Sequence, residues 1–159
     1  MNAGLAARLP EPASILIVKP SSLGDIVHTL PAVAALKAAF PIVPIRWVAN
    51  TEWMPLLEGS PVVDNVLEFP RRKFRGMGVL TQVPGWLRTW RADGQAASPE
   101  WVLDFQGLLR SALMAKSRGS GPVIGLSDSR EGARRFHTHV VAVDAGAHAV
   151  ERYLEMPHA

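Results

Sequence analysis

Residues 15–28 constrain this chain more than any other stretch. Ile15, Leu16, Ile17 and Val18 form an apolar run, three of its members β-branched, which predicts a short buried strand. Lys19-Pro20-Ser21-Ser22-Leu23-Gly24-Asp25 follows, and an apolar pattern with helical spacing begins at Ile26. A strand that feeds a tight polar turn into a helix sets backbone N–H groups at the carboxyl end of a parallel sheet. Open α/β sheets bind ligands there, and a helix N-terminus favours anions. Asp25 stands at the mouth of that cleft. Two roles fit it equally from this stretch alone, a helix cap or a reactive carboxylate.

Further apolar runs recur at 45–48, 66–69, 101–105, 123–126 and 140–143. They are short and apolar on both faces, as parallel strands covered by helices must be. Helical patterns lie between them at 26–40, 52–57, 81–91, 108–116 and 130–136, with a last one at 148–156. The alternation predicts an α/β fold, a Rossmann-like, doubly wound, mostly parallel sheet. Pro31 either kinks the first helix or marks a restart capped by Thr29. Pro84 interrupts the pattern at 81–91. Pro157 is expected to stop the last helix, in which Val150, Tyr153 and Leu154 share a side.

A chain of 159 residues with 48% hydrophobic content fits one globular domain. Residues 1–13 read as a disordered N-terminus, 14–147 as the Rossmann-like domain, and 148–159 as the start of a linker helix. No apolar run reaches the ~18 residues of a membrane span. The first residues lack the apolar core of a signal peptide, so a cytoplasmic location is expected. The chain has no cysteine, which excludes disulfides, thiolate zinc sites and cysteine nucleophiles. A net charge of +3 permits an anionic ligand, and no nucleic-acid partner is expected.

No nucleotide fingerprint fits. G-x-G-x-x-G is missing after the first strand, and Lys19-Pro20-Ser21-Ser22 has its lysine before the glycine instead of after it. His137 and His139 alternate around a strand start, and no metal role is expected for them. Nothing in the sequence calls for a metal or a cofactor. Arg71, Arg72, Lys73 and Arg75 put four cations into five residues after a strand, which suits phosphate or carboxylate as well as a solvated loop. Asp104 and Gln106 end the 101–105 strand and point into the same crevice as Asp25 if the sheet is parallel; turn capping explains them equally. An aspartate at a strand end also occurs in phosphoacceptor receivers, but those need an acidic pair where this chain has Lys19 and Pro20. Arg130, Arg134 and Arg135 follow the fifth strand and again suit an anion or plain surface charge.

Taken together, four segments resemble the lipopolysaccharide heptosyltransferases, glycosyltransferase family nine. They are I-L-I-V-K-P-S-S-L-G-D-I-V-H-T-L-P-A, the R-R-K-F-R loop, V-L-D-F-Q-G-L-L-R-S-A and H-A-V-E-R-Y, in the family's order from 15 to 155. The resemblance implies the N-terminal half of a GT-B enzyme, which holds a lipid A–Kdo acceptor while a C-terminal domain holds the ADP-heptose donor. It implies Asp25 as general base. Ser22, Gly24, Arg71, Arg72, Arg75, Asp104, Gln106, Arg130 and His148 fall on the acceptor side. The chain stops where the linker to a donor domain begins in the family, so the expected activity is that of a truncated or split enzyme. A separate C-terminal half is then a partner, and peripheral contact with the inner face of the inner membrane is expected. The alternative is a stand-alone module that binds an anionic glycan or glycolipid without catalysis. A third reading is an unrelated Rossmann-like nucleotide-binding domain.

Overall fold

The computed structural model describes residues 9–69, 71, 78–119 and 121–159. The elements run β1 Ser14–Val18, α1 Leu23–Ala39, β2 Ile45–Asn50, a 3-10 turn Thr51–Trp53 leading into α2 Met54–Leu57, and β3 Asn65–Phe69. Then come α3 Gly78–Ala96, β4 Glu100–Asp104, α4 Leu109–Arg118, β5 Val123–Leu126, a 3-10 turn Ala133–Phe136, β6 His139–Val141 and α5 Ala149–His158. The strands form one sheet in the order β3-β2-β1-β4-β5-β6, and every neighbouring pair is parallel. This is the doubly wound sheet that the alternation predicts. Strand order reverses between β1 and β4, and a crevice opens at their carboxyl ends.

Alternate strand residues feed two separate cores, because successive side chains point to opposite faces. Ile15, Ile17, Trp47, Leu103 and Leu126 pack with Ile26, Val33 and Leu36 of α1, Leu57 of α2, and Tyr153 and Met156 of α5. Leu16, Val18, Val48 and Val102 face the other way, onto Trp90 of α3 and Met114 and Ala115 of α4. All five residues of β1 are buried. Each such aliphatic side chain contributes roughly 1.5–3 kcal/mol on burial.

The amino-terminal edge of the sheet is fastened by charge. Arg118, 1% exposed, donates Nε to Glu100 Oε2 at 2.6 Å and Nη1 to the Trp90 carbonyl at 2.7 Å. Its guanidinium lies 4.2 Å from the Trp90 ring centroid. Arg46 pairs with Glu100 and Asp93, and Arg118 also reaches Asp93. These acids and bases neutralise one another, which is the condition for burying them.

Several boundaries differ from the sequence reading, and α3 runs unbroken through Pro84. α1 runs unbroken through Pro31; the carbonyl that loses its N–H partner belongs to Val27, which is 45% exposed. α5 continues through Pro157 to His158: a proline in the last turn removes one hydrogen bond only, and Met156 beside it is buried. Phe105 lies beyond the end of β4, and β6 stops at Val141 rather than reaching residue 143. Near the start of the chain, the Trp101 indole donates to the Pro10 carbonyl at 2.9 Å and Ala13 N–H to the Pro99 carbonyl at 2.8 Å.

Candidate functional site

The turn after β4 is built on Asp104. Its Oδ1 accepts the backbone N–H groups of Gln106 and Gly107, both at 3.1 Å. Its Oδ2 accepts the Ser111 hydroxyl at 3.1 Å and faces His137 Nε2 at 3.0 Å. Gly107 has φ +62, and a Cβ there would lie 2.9 Å from Ser129 Oγ, so the turn demands glycine twice over. The Asp104 side chain is fully buried and both its oxygens are engaged. It therefore holds the turn, and it also lines the cleft shared with Asp25.

Gln106 joins this turn to the one after β1. Its N–H donates to the Val18 carbonyl at 3.1 Å, and its Oε1 accepts Ser21 N–H at 3.4 Å. Across that junction lies Asp25, in the first turn of α1. Asp25 Oδ2 accepts the Ser22 N–H at 3.1 Å and the Ser22 hydroxyl at 2.9 Å. This is the capping position expected of an acid three residues after the N-cap. Asp25 Oδ1 accepts nothing among the described residues, and the side chain is half-buried at the cleft wall. A helix cap and a reactive carboxylate thus fit one side chain, one oxygen for each. Gly24 lies exposed between Ser22 and Asp25, with space around its α-carbon.

The cleft beside Asp25 has a volume of about 370 Å³. Lys19, Gln106, Asp128, Arg130, Arg152 and Tyr153 line it together with Asp25. Lys19 is 3% exposed and donates to the Phe105 carbonyl at 3.1 Å and the Tyr153 hydroxyl at 3.0 Å. Burial lowers the Lys19 ammonium, and the charges of Asp25 and Asp104 offset part of that. Burial pushes the Asp25 carboxyl up, but the Ser22 N–H, the Lys19 charge and the Ser22 hydroxyl prevail and hold it below its ordinary value. Burial and the nearby Asp25 charge push the Tyr153 hydroxyl up to about 12. The site therefore presents an ionised carboxylate and a protonated phenol at neutral pH.

A second cavity of about 80 Å³ sits on the other side of Gln106. Asn50, Phe69, Arg71, Arg110 and Met114 line it. Arg71 thus shares a rim with Gln106 but not with Asp25. Arg72 and Arg75 lie outside the described residues. Arg130 reaches the larger cleft because its N–H bonds the Gly107 carbonyl at 2.8 Å, which closes the loop after β5 onto the Asp104 turn.

His148 is not among the residues lining the larger cleft. Its Nδ1 accepts Val150 N–H at 3.3 Å as the N-cap of α5, and its ring meets His28 at 5.2 Å. The same helix instead brings Arg152 and Tyr153 to the cleft, four and five residues further along the H-A-V-E-R-Y motif. Arg152 is held there by an ion pair with Asp128. Lys19, Arg152 and Tyr153 are the site residues that sequence reasoning missed. All three lie inside motifs already singled out, and a buried lysine directly after a strand was the available signal for the first.

Comparison with known proteins follows the same lines. The family described as Glycosyltransferase family 9 (heptosyltransferase) matches over residues 95–159. Lipopolysaccharide heptosyltransferase 1 of Pseudomonas aeruginosa is 35% identical over 143 residues, a span of 87% of this chain and 40% of that protein. The protein of the same name from Escherichia coli K12 is 30% identical over 145 residues, covering 89% of this chain and 46% of the relative. A solved structure, E. coli heptosyltransferase WaaC with ADP-2-deoxy-2-fluoro heptose, superposes with a TM-score of 0.79 at 29% identity. It covers 91% of this chain and 47% of WaaC. The chain spans less than half the length of the curated relatives it matches. On motif order, a GT-B Rossmann-like sheet and these matches, the chain belongs to glycosyltransferase family 9, the heptosyltransferases.

Proposed function

We propose that this chain is the acceptor-binding half of an inverting heptosyltransferase that moves heptose from ADP-heptose to the inner core of lipopolysaccharide, the lipid A–Kdo region. The observation that carries the reading is Asp25, with one oxygen fixed by Ser22 and the other unengaged at the wall of a charged cleft. The acceptor hydroxyl attacks the anomeric carbon of the heptose. The new C–O bond forms as the bond to the diphosphate breaks, and ADP leaves from the opposite face with the electron pair. Asp25 takes the hydroxyl proton. A carboxylate is a weak base toward an alcohol, so proton transfer accompanies attack. The ionised Asp25 also stabilises positive charge developing on the sugar ring.

Arg130 and Arg152 at the larger cleft, and Arg71 and Arg110 at the smaller cavity, suit the carboxylates and phosphates of such an acceptor. The similar E. coli heptosyltransferase WaaC is solved with ADP and with ADP-2-deoxy-2-fluoro heptose, which supports a nucleotide-sugar donor. Donor binding is assigned to a C-terminal half, in the same polypeptide or a separate one. A glycolipid acceptor places the protein peripherally at the cytoplasmic face of the inner membrane. No helix among the described residues is long and apolar enough to cross a membrane.

The test is a transfer assay with ADP-heptose and a Kdo-bearing lipid A, using residues 1–159 alone and mixed with the C-terminal half of the Pseudomonas aeruginosa relative. Transfer that requires both halves and is abolished by Asp25→Asn supports the reading. Acceptor binding without transfer in any combination favours the non-catalytic glycan-binding module.

A further inference from the structure

The cleft holds a hydrogen-bond donor that the protein itself does not use. An ammonium group only donates, so in the Lys19–Tyr153 pair the phenol oxygen is the acceptor. The Tyr153 hydroxyl proton must go elsewhere, and no acceptor for it exists among the described residues. Lys19 likewise spends two of its three protons, on Phe105 and Tyr153. The phenol ring is held in place: it meets the Phe105 ring edge-on at 5.5 Å and lies in the core shared by α1 and α5. Tyr153 also lines the same cleft as Asp25 and Arg130.

We infer that Tyr153 is a ligand-contacting residue whose hydroxyl, oriented by Lys19, donates to an oxygen of the molecule occupying the Asp25 cleft, and that this molecule is a sugar bearing a carboxylate or phosphate. The inference rests on the acceptor-half reading above and adds a residue to it. The hydrogen-bond count supplies the donor. Arg130 and Arg152 on the same walls supply the preference for an anionic ligand. The Lys19 ammonium occupies a lone pair of the phenol oxygen, which leaves the hydroxyl proton for another acceptor. The same geometry keeps Tyr153 from serving as a base, because its proton stays on until about pH 12.

Tyr153 is the single tyrosine of the chain, so a label on the tyrosine ring reports this site alone. The full chain is grown with tyrosine carrying carbon-13 at the hydroxyl-bearing carbon and titrated with inorganic phosphate or with free Kdo, a sugar acid. A saturable shift of the one resonance is expected. A response to Kdo alone identifies the carboxylate as the recognised group, and a response to phosphate alone identifies phosphate. Silence toward both overturns the inference. In a parallel calorimetric titration, Tyr153→Phe keeps the ring contact with Phe105 and is expected to bind the responding ligand roughly 10- to 150-fold more weakly, the value of one hydrogen bond to a charged group. Unchanged affinity in a variant with unchanged melting temperature also overturns it. If the resonance responds but the reconstituted halves transfer no heptose, the transferase reading fails and this inference stands. If transfer proceeds with Tyr153→Phe at unchanged acceptor KM, the inference fails and the transferase reading stands.

Discussion

Lys19, at the end of β1, donates to the hydroxyl of Tyr153 in α5 at 3.0 Å, across 134 residues of sequence. The bond ties the last helix to the turn that carries Asp25. Its signature is spectroscopic. Tyrosinate absorbance of the folded chain is expected near pH 12 instead of the ordinary 10.0. The folded state then holds a proton that the unfolded state has released, so stability falls as pH rises from 10 toward 12. An ultraviolet titration followed alongside circular dichroism checks both halves of the prediction.

Acid has the opposite sign. Three carboxyls lie below their ordinary value of 3.8. Asp64 is lowered by the Lys37 ammonium at 2.8 Å and by the Ile45 N–H. For Asp93, burial pulls upward and the hydrogen bond and charge of Arg118 outweigh it. Asp25 is lowered by Ser22 and Lys19 against the pull of burial. The stability these groups contribute is complete above pH 3.8 and is lost as pH falls through their folded values. Asp64→Asn should flatten that acid limb by lowering the melting temperature at pH 7 to 8 while changing it little at the acid end of the profile.

Asp25→Asn separates the two functions of that side chain. The amide still accepts the Ser22 N–H, so the melting temperature should move by little. It cannot take a proton. With the donor half restored, kcat should fall by about 10²–10⁴-fold. Arg71→Ala and Arg130→Ala should instead raise the acceptor KM with kcat nearly unchanged, since they touch ligand and not the proton transfer. Near-full turnover by Asp25→Asn would leave Asp25 a helix cap only.

Arg118→Ala strands Glu100, whose side chain is fully buried. Arg46 and the Ser14 hydroxyl remain as partners, but the 2.6 Å bond and the packing on Trp90 are lost. A loss of about 3–5 kcal/mol in urea unfolding is expected. Arg118→Lys should recover little of it, because one ammonium cannot reproduce a planar fork that serves Glu100, Asp93 and Trp90 together.

Gly107→Ala puts a methyl group against Ser129 in a residue with φ +62. A cost of roughly 1–3 kcal/mol is expected from the backbone strain alone. The variant should also perturb the amide resonances of Arg130, which bonds the Gly107 carbonyl, more than those of the distant amino-terminal edge around Arg46.

The strands were legible because a run such as Ile15-Leu16-Ile17-Val18 has one use in a chain of this composition. The doubly wound parallel class followed from the alternation of strands and helices, whereas the strand order came from the structure. Pro157 misled because a proline is tolerated in a last turn that core packing through Met156 holds in place. Asp104 was placed at the right strand end, but its partners were not legible: sequence gives the position of a carboxylate, whereas His137 and Ser111, which occupy its oxygens, come from other elements. Tyr153 was visible only as one member of an apolar helical side. Its pairing with Lys19 depends on α5 docking beside α1, a relation between distant segments that local periodicity does not carry.

Gln106 divides the carboxyl end of the sheet into compartments of about 370 and 80 Å³. A branched molecule could place one arm in each, straddling this side chain. A linear one must choose a compartment or lie across the divide. Gln106 lines both rooms, so shortening it would widen the passage between them and change which ligand shapes they admit.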